Sequence, residues 1–217
     1  ELNARQQRYL EMVRTSADNL LEVVNNILDY SKIELGKLEF EETTFHLKER
    51  MEYELYPQQI KAEHKGITFN FSFEPGVPDL IECDETRLLQ VVTNLVDNGI
   101  FYTKEGEVFL EVSLQGYNSQ GQYLVKFSVI DTGIGIQPVK QQIISESFKL
   151  GSVPPSGVAD DSLLGLTISG HLVKLAGGDI GLESSGPGRG TVVWFTWPVT
   201  VVVNDSLPPV NLDAAIY

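Results

Sequence analysis

A hydrophobic run ends in an acidic residue that is followed by two closely spaced glycines. Residues 127–130 lead into Asp131, and Gly133 and Gly135 follow at intervals of two. A carboxylate at this point can accept a hydrogen bond from an exocyclic amine such as N6 of adenine. The glycines allow positive φ and close backbone approach to a flat ring. Taken alone, the segment is also compatible with a simple turn.

Two asparagines lie in an otherwise apolar helical stretch before this loop. Asn94 and Asn98 are four residues apart, so both amides face one side of a helix. Buried amides are costly without partners, and their carbonyl oxygens can hold Mg²⁺ and bridge to phosphate oxygens. Alone they are also compatible with capping or packing roles. A third segment, residues 188–191, precedes a strand and is by itself typical of a hairpin turn.

An ordered series of helices and strands is needed to bring these segments together. Hydrophobic periodicity predicts helices at 46–64, 85–102 and 163–176, and strands at 37–41, 67–73, 107–115, 123–130, 178–184 and 190–198. Residues 145–162 are polar and contain Pro and Gly, which indicates a loop. Runs of strands with helices on one side favour an α+β fold, a two-layer α/β sandwich. The third glycine of GxGxxG and a GK[ST] motif are both missing, which argues against a Rossmann or P-loop site.

Residues 4–35 form a separate unit with a heptad pattern. Spacings of three and four relate its apolar residues, which are Leu10, Val13, Ala17, Leu20, Val24 and Ile27. Gly36 provides a C-terminal stop. A helix of about 30 residues is ~45 Å long, too long for one compact domain to cover its apolar stripe. A second helix from the same or a partner chain is therefore expected; the alternative is a helix packed lengthwise on its own domain.

The composition and net charge limit the classes of molecule that this chain is expected to bind. A net charge of −14 and a pI near 4.6 repel nucleic acid and anionic lipid, so neither nucleic acid nor direct membrane contact is expected. The single Cys83 excludes an internal disulfide, and the chain lacks a Cys/His zinc signature. No run of 18 apolar residues occurs. These features predict a cytoplasmic piece of a larger protein, whose membrane part would lie outside this chain.

In this order, the segments resemble the histidine kinase branch of the Bergerat-fold (GHKL) ATPases, over about residues 1–200. Residues 83–90 resemble the start of the N-box helix, 94–98 the N box, 131–136 the G1 box, 145–148 a worn F box, 165–166 the G2 position and 188–191 the last glycine turn. Residues 35–38, after the helix end at 27–33, resemble the junction between dimerisation hairpin and catalytic domain in hybrid sensor kinases.

The resemblance implies three parts and a cofactor. Residues 1–36 would be the second helix of a dimerisation and phosphotransfer hairpin, 37–200 an ATP-binding domain of the HATPase type, and 201–217 a C-terminal linker or tail. The cofactor would be ATP or ADP with Mg²⁺ if the site is functional, and none otherwise. The implied nucleotide-binding residues are Asn94, Asn98, Tyr102, Asp131, Gly133, Gly135, Gly165 and Thr191, with Asn98 holding Mg²⁺.

Departures from the family pattern fall in the half of the site that would hold phosphate. Phe101 stands where the N box has a basic residue, with Lys104 as the nearest substitute cation. Asp161 and Leu163 stand where the G2 box has glycines, and Asp160 adds a further negative charge. These changes predict that the part of the nucleotide site that holds adenine is retained and that the part that holds phosphate is degenerate.

The acceptor histidine of the family lies on the first hairpin helix, which this chain does not include. His46, His64 and His171 are not in acceptor-like contexts and are expected to be surface or packing residues. No catalytic residue is therefore expected in this chain.

Two functions follow from the resemblance. One is an active autokinase core that transfers a phosphoryl group from ATP to a histidine on the missing helix. The favoured one is a regulatory module with impaired ATP binding, comparable with RetS-like inhibitory hybrid sensors. It would form a homodimer, or a heterodimer with another sensor kinase, through residues 4–35, and act on a response regulator or receiver domain. Gyrase and chaperone ATPases lack the heptad helix and its exit at 31–37.

Overall fold

The computed structural model describes residues 3–150, 161–183 and 186–202 of the 217-residue chain. Within these ranges the elements follow in the order α1 (Ala4–Glu34), β1 (Thr43–His46), α2 (Leu47–Lys65), β2 (Thr68–Phe73), β3 (Leu80–Cys83), α3 (Glu85–Tyr102), β4 (Glu107–Tyr117), β5 (Tyr123–Asp131), α4 (Pro138–Leu150), α5 (Asp161–Leu175), β6 (Ile180–Glu183) and β7 (Thr191–Val201). None of these helices is both long and apolar enough to span a membrane.

The strands form one mixed sheet that is covered by helices. Its order is β1-β3-β7-β5-β4-β2, and β6 pairs with β7 beside this path. Only β2 and β4 run parallel among the described strands. The fully buried side chains between the layers include Trp197, Phe127, Phe195, Leu88 and Leu172. The predicted two-layer α/β sandwich is confirmed.

Helix α3 fits the sheet closely because its inner face is apolar and carries a glycine. Asp84 caps its N-terminus by accepting a hydrogen bond from the Arg87 backbone N–H. The buried residues include the predicted inner face, Leu88, Val91, Val92, Leu95, Val96 and Gly99. A Cβ on Gly99 would lie 3.1 Å from a methyl group of Val108. Glycine therefore sets the distance between this helix and β4.

The first strand is not where its sequence pattern predicted it. Residues 37–41 form no strand; β1 begins at Thr43 and pairs antiparallel with β3, with Thr43 opposite Cys83. Leu38 and Phe40 still pack against the core, which explains their alternation. The strand β3 was missed because its four residues follow a turn rich in proline and glycine.

Helix α4 corrects the prediction of a loop over 145–162. It begins at Pro138 and ends at Leu150, so residues 145–150 are helical. Pro138 suits the first helical position, and Ile144 and Phe148, one turn apart, are both buried. The polar composition concealed this apolar pair. Residues 151–160 lie outside the described ranges.

The apolar seam of α1 is largely uncovered by its own domain. Asn3 and Gln6 form a capping box at the start of the helix. The large apolar residues of the seam are more than two-fifths exposed, namely Leu10, Val13, Leu20, Val24 and Ile27. The alternative of lengthwise packing on the same domain therefore does not describe this helix.

The last turns of α1 are bonded to and packed against the domain. Asp29 is buried, and its Oδ2 accepts hydrogen bonds from Arg87 Nη1 at 2.8 Å and Gln90 Nε2 at 2.9 Å. The ring of Tyr30 meets His171 of α5 edge-on, at 6.1 Å between centroids. This contact gives His171 the packing role that the sequence predicted.

The N-terminus of α2 is capped by a residue distant in sequence. Asp79 Oδ1 accepts from the Lys48 N–H at 3.0 Å, and its backbone carbonyl accepts from the Leu47 N–H at 2.7 Å. Asp79 Oδ2 also pairs with His46 Nδ1 at 2.9 Å. Burial raises the pKa of Asp79, but the hydrogen bonds from His46 and Lys48 outweigh it, so the net pKa is lowered.

We expect Asp79→Ala to lower the free energy of unfolding by about 1 kcal/mol near neutral pH, the usual worth of a helix cap. Since the folded-state pKa is lowered, the stabilisation is complete above the ordinary aspartate pKa and is lost as pH falls through the folded value. Urea unfolding of wild type and variant from pH 7 to pH 3 should show the difference shrink. Glu63→Ala, on the exposed face of the same helix, is the control; an equal effect there would contradict the capping role.

Candidate functional site

A cavity of about 330 Å³ lies between α3, α4, the end of β5 and the start of β7. This is at the lower end of the range for small-molecule pockets, roughly 300–1,000 Å³. Its walls are mostly apolar and include Leu95, Val129, Ile136, Ile144, Phe148, Leu166, Leu182 and Val193. Polar groups are few, so each one has a large influence on which ligand can enter.

Asp131 is the one acidic residue among the described residues that line this cavity. Its Oδ1 accepts from the Gly133 N–H at 2.8 Å, and the backbone N–H of Thr191 is a second donor. Burial raises the pKa of Asp131, and these two backbone donors only partly oppose it. An acceptor held in apolar surroundings suits a ligand that presents an N–H group.

The loop after β5 is bonded to the glycine turn before β7. Gly188 N donates to Ile134 O at 2.6 Å, and Gly190 N donates to Gly133 O at 3.2 Å. Gly135 has φ +66°, and a Cβ there would collide with the backbone carbonyl of Gly186. Two segments that the sequence suggested separately thus form one structural unit at the cavity.

Helix α3 contributes Asn98 and Tyr102 to the cavity, one turn apart. Of the eight predicted nucleotide residues, five line it: Asn98, Tyr102, Asp131, Gly135 and Thr191. Gly133 lies directly behind, where a Cβ would be 2.6 Å from the Tyr102 carbonyl. The side chain of Asn98 offers an amide oxygen suited to Mg²⁺, and Asp131 with the apolar walls fits an adenine ring.

The remaining two predicted residues lie elsewhere. Asn94 and Gly165 line a separate polar cleft that faces α1. Asn94 Nδ2 donates to Ser169 Oγ at 2.7 Å, and its Oδ1 accepts from Asn98 Nδ2 at 3.4 Å. A Cβ on Gly165 would lie 2.5 Å from Asn94 Oδ1. These contacts give both residues a packing role, and their part in nucleotide binding stays a prediction.

Phe101 is 70% exposed at the end of α3 and stands edge-on to Tyr102, with 5.0 Å between ring centroids. Lys65 lies over the Phe101 ring at 5.8 Å, but its Nζ donates to the carbonyls of Ile100 and Phe101, both at 2.6 Å. This cation therefore serves the C-terminal end of α3. Lys104 is exposed and does not line the cavity.

The G2 position is only partly described. Asp161 begins α5 and Leu163 lies in its first turn, but the side chains of both lie outside what the structure describes, as does Asp160 altogether. Among the described residues, no group of three or more His, Cys, Asp or Glu is placed to hold a metal ion.

Sequence reasoning missed the contribution of α4 to the site. Gln137, Lys140, Ile144 and Phe148 all line the cavity, and Lys140 is the one basic residue among the described residues of the lining. Ile144 and Phe148 at a spacing of four, six residues after a proline, were a usable helical signal. The prediction of a loop over 145–162 hid this wall.

Comparison with known families gives a match over much of the domain. The profile of the family described as histidine kinase-, DNA gyrase B-, and HSP90-like ATPase matches residues 83–201. The chain is 33% identical over 212 residues to sensor protein GacS of Pseudomonas syringae pv. syringae, covering 98% of this chain and 23% of GacS. It is 33% identical over 195 residues to signal transduction histidine-protein kinase BarA of Escherichia coli (strain K12), covering 90% and 21%. The chain thus spans less than a quarter of these relatives.

Solved structures agree with these matches. Full-length ShkA in complex with AMPPNP is 29% identical, with a TM-score of 0.72 over 94% of this chain and 41% of that one. Histidine kinase ThkA in complex with response regulator protein TrrA is 25% identical, with a TM-score of 0.61 over 92% and 53%.

The raised pKa of Asp131 makes its carboxylate a destabilising group in the folded chain at neutral pH. The folded state binds the proton more readily, so stability falls as pH rises from the unfolded toward the folded pKa. We expect Asp131→Asn, which keeps an acceptor for the Gly133 N–H, to unfold at a higher temperature than wild type at pH 7. Thermal melts should show this advantage vanish below about pH 4. A variant less stable at pH 7 would contradict the inference.

Proposed function

The chain belongs to the family of histidine kinase-, DNA gyrase B- and HSP90-like ATPases, as the ATPase domain of a sensor histidine kinase, and we propose that it keeps the adenine half of its nucleotide site but binds triphosphate weakly. In this proposal it signals mainly through pairing of α1. The observation that carries it is the contrast between Asp131, set in an apolar cavity, and Phe101, an exposed aromatic residue at the position where the family resemblance implies a cation.

The adenine half is supported by the chemistry of the cavity. The Asp131 carboxylate can accept from the exocyclic amine of adenine, and Tyr102 and the apolar walls can enclose the ring. Asn98 would hold Mg²⁺, while Gly133, Gly135 and Thr191 would shape the backbone around the base. Asn94 would position the side chain of Asn98 through the hydrogen bond between the two amides. Gly165 would leave room for Asn94.

The weakness of the phosphate half is supported by charge. Phe101 supplies no cation, and Lys65 beside it already donates to two carbonyl oxygens. One cation–phosphate contact at 4 Å is worth roughly 4 kcal/mol at an effective dielectric constant of 20, before screening. Asp161 and Leu163, in place of glycines, would weaken the site further. The chain's net charge of −14 adds to the repulsion.

The alternative is an active autokinase core, which the retained cavity and Asn98 favour. In that case Mg-ATP binds tightly, and a histidine outside this chain accepts the phosphoryl group. In both functions the chain would be a cytoplasmic part of a phosphorelay protein. Residues 1–36 would be its second hairpin helix, residues 37–200 its ATP-binding domain, and residues 201–217 a linker or tail. Both need a response regulator or receiver domain as partner.

We expect adenosine and Mg-ADP to bind wild type with affinities within about tenfold of each other, because phosphate adds little. Phe101→Lys should bind Mg-ADP at least tenfold more tightly, about 1.4 kcal/mol, with adenosine binding unchanged. Isothermal titration calorimetry measures both. Phe101→Leu removes the ring without adding charge and is the matched control. Inosine, which lacks the amine, should bind poorly throughout.

Micromolar Mg-ADP binding by wild type, at least a hundredfold tighter than adenosine, would instead favour the active kinase. If Phe101→Lys and Phe101→Leu increased the affinity for Mg-ADP equally, the missing positive charge at position 101 would not be the cause of weak phosphate binding.

The signalling half of the proposal rests on the exposed seam of α1. Leu20 is 64% exposed and lies on the seam, whereas Met12 is 59% exposed and lies off it. We expect the chain to dimerise and Leu20→Glu to weaken the dimer by roughly 100-fold or more, since two buried leucines are worth about 3–6 kcal/mol. Sedimentation equilibrium measures this.

Met12→Glu is the control and should leave the dimer intact. A wild-type chain that stays monomeric at high concentration, and pairs with no sensor kinase, would contradict this role of α1.

A further inference from the structure

The cavity that Asp131 lines also carries a positively charged side chain. Lys140 is the one basic residue among the described residues of the lining, and it lies in the first turn of α4. Gln137, three residues earlier at the start of the same helix, lines the cavity as well. Residues three apart are neighbours on one side of a helix. The start of α4 therefore presents an ammonium group and an amide to the same part of the cavity.

Both of these side chains are available to a ligand. Neither Lys140 nor Gln137 makes a side-chain hydrogen bond or ion pair to any residue that the structure describes. Lys140 is exposed, so its ammonium group lies where the cavity opens to solvent. This distinguishes it from Lys65, whose Nζ already donates to two carbonyl oxygens at the end of α3. The partial positive charge at the N-terminus of α4 adds to that of Lys140.

Lys140 and Asp131 lie at different places in the cavity. Burial raises the pKa of Asp131, and the backbone N–H groups of Gly133 and Thr191 oppose that rise. A cation within about 4–6 Å would also lower this pKa, but Lys140 has no such effect, and the two side chains form no ion pair in the described part of the chain. The cavity thus has a buried acceptor in its interior and an unpaired cation where it opens.

This arrangement suits a ligand with an N–H donor at one end, an apolar ring next to it and an anionic group at the other end. An adenine nucleotide has these parts in that order, since its amine and its phosphate lie at opposite ends. A phosphate that binds Lys140 makes a charge-assisted hydrogen bond. A second phosphate finds no further basic residue in the described lining and meets the repulsion of a net charge of −14. The cavity is therefore matched to one phosphate group.

We propose that the cavity selects adenosine 5′-monophosphate (AMP), whose phosphate is held by Lys140 and Gln137. The adenine contact with Asp131 is that of the proposed function, on which this proposal rests; the phosphate contact is moved from position 101 to the start of α4. AMP lacks the phosphoanhydride bond from which a kinase transfers a phosphoryl group. The bound nucleotide is therefore a regulatory ligand of this domain and not its phosphoryl donor.

The test is calorimetric titration of the whole chain with adenosine, AMP and ADP, all without Mg²⁺. At about 50 mM salt we expect AMP to bind roughly three- to tenfold more tightly than adenosine, and ADP to bind no more tightly than AMP. The advantage of AMP over adenosine should shrink at about 300 mM salt, because an exposed cation is screened.

Lys140→Gln should bind AMP no more tightly than adenosine, with the affinity for adenosine unchanged, whereas Lys140→Arg should keep the advantage of AMP. Lys104→Gln is the matched control, because it removes the same charge from an exposed residue outside the described lining. Lys140→Gln should melt at the wild-type temperature, since the exposed side chain has no partner among the described residues to lose. A loss of AMP affinity then cannot be attributed to unfolding.

Three results would overturn the role of Lys140 while leaving the adenine half of the proposed function intact. They are adenosine binding with no advantage for AMP, an AMP advantage that Lys140→Gln retains, and an equal loss in Lys104→Gln. ADP binding at least tenfold tighter than AMP would overturn the selection of a single phosphate. Binding of neither adenosine nor AMP would overturn the adenine half and this proposal together.

Discussion

The antiparallel register between β5 and β7 is the constraint on which the site depends. It places Asp131, the last residue of β5, opposite Thr191, the first residue of β7. The two loops that leave the sheet at this point are therefore neighbours, and backbone hydrogen bonds join them at Gly188 and Gly190. A slip of one residue would turn Asp131 to the opposite face of the sheet. The strand pairing, more than any single loop residue, thus defines the position of the carboxylate.

In the proposed function, the two halves of the nucleotide site would be carried by different parts of the chain. The adenine half would be built on strand ends and on α3, which are tied into the core by Val129 and Leu95. The phosphate half would be built on the start of α5 and on the segment before it. A chain can therefore lose phosphate binding while it keeps its fold and a cavity.

Sequence reasoning succeeded where a residue type had one physical role. Asp131 and its glycines, the helix at 85–102 and the sandwich architecture were all predictable, because strong periodicity and special backbone geometry leave few alternatives. It failed where tertiary partners decide. Residues 37–41 alternate like a strand but find none to pair with, and α4 is helical because Ile144 and Phe148 reach the core. The spacing of Asn94 and Asn98 predicted a shared face, but not that Ser169 would draw Asn94 toward the cleft.

Helix α3 has a mechanical consequence for the whole chain. Its 18 residues form a rod about 27 Å long. Near one end, Arg87 and Gln90 donate hydrogen bonds to Asp29 of α1. Near the other end, Asn98 and Tyr102 form part of the cavity wall. One helix thus connects the part of α1 that is bonded to the domain with a wall of the cavity.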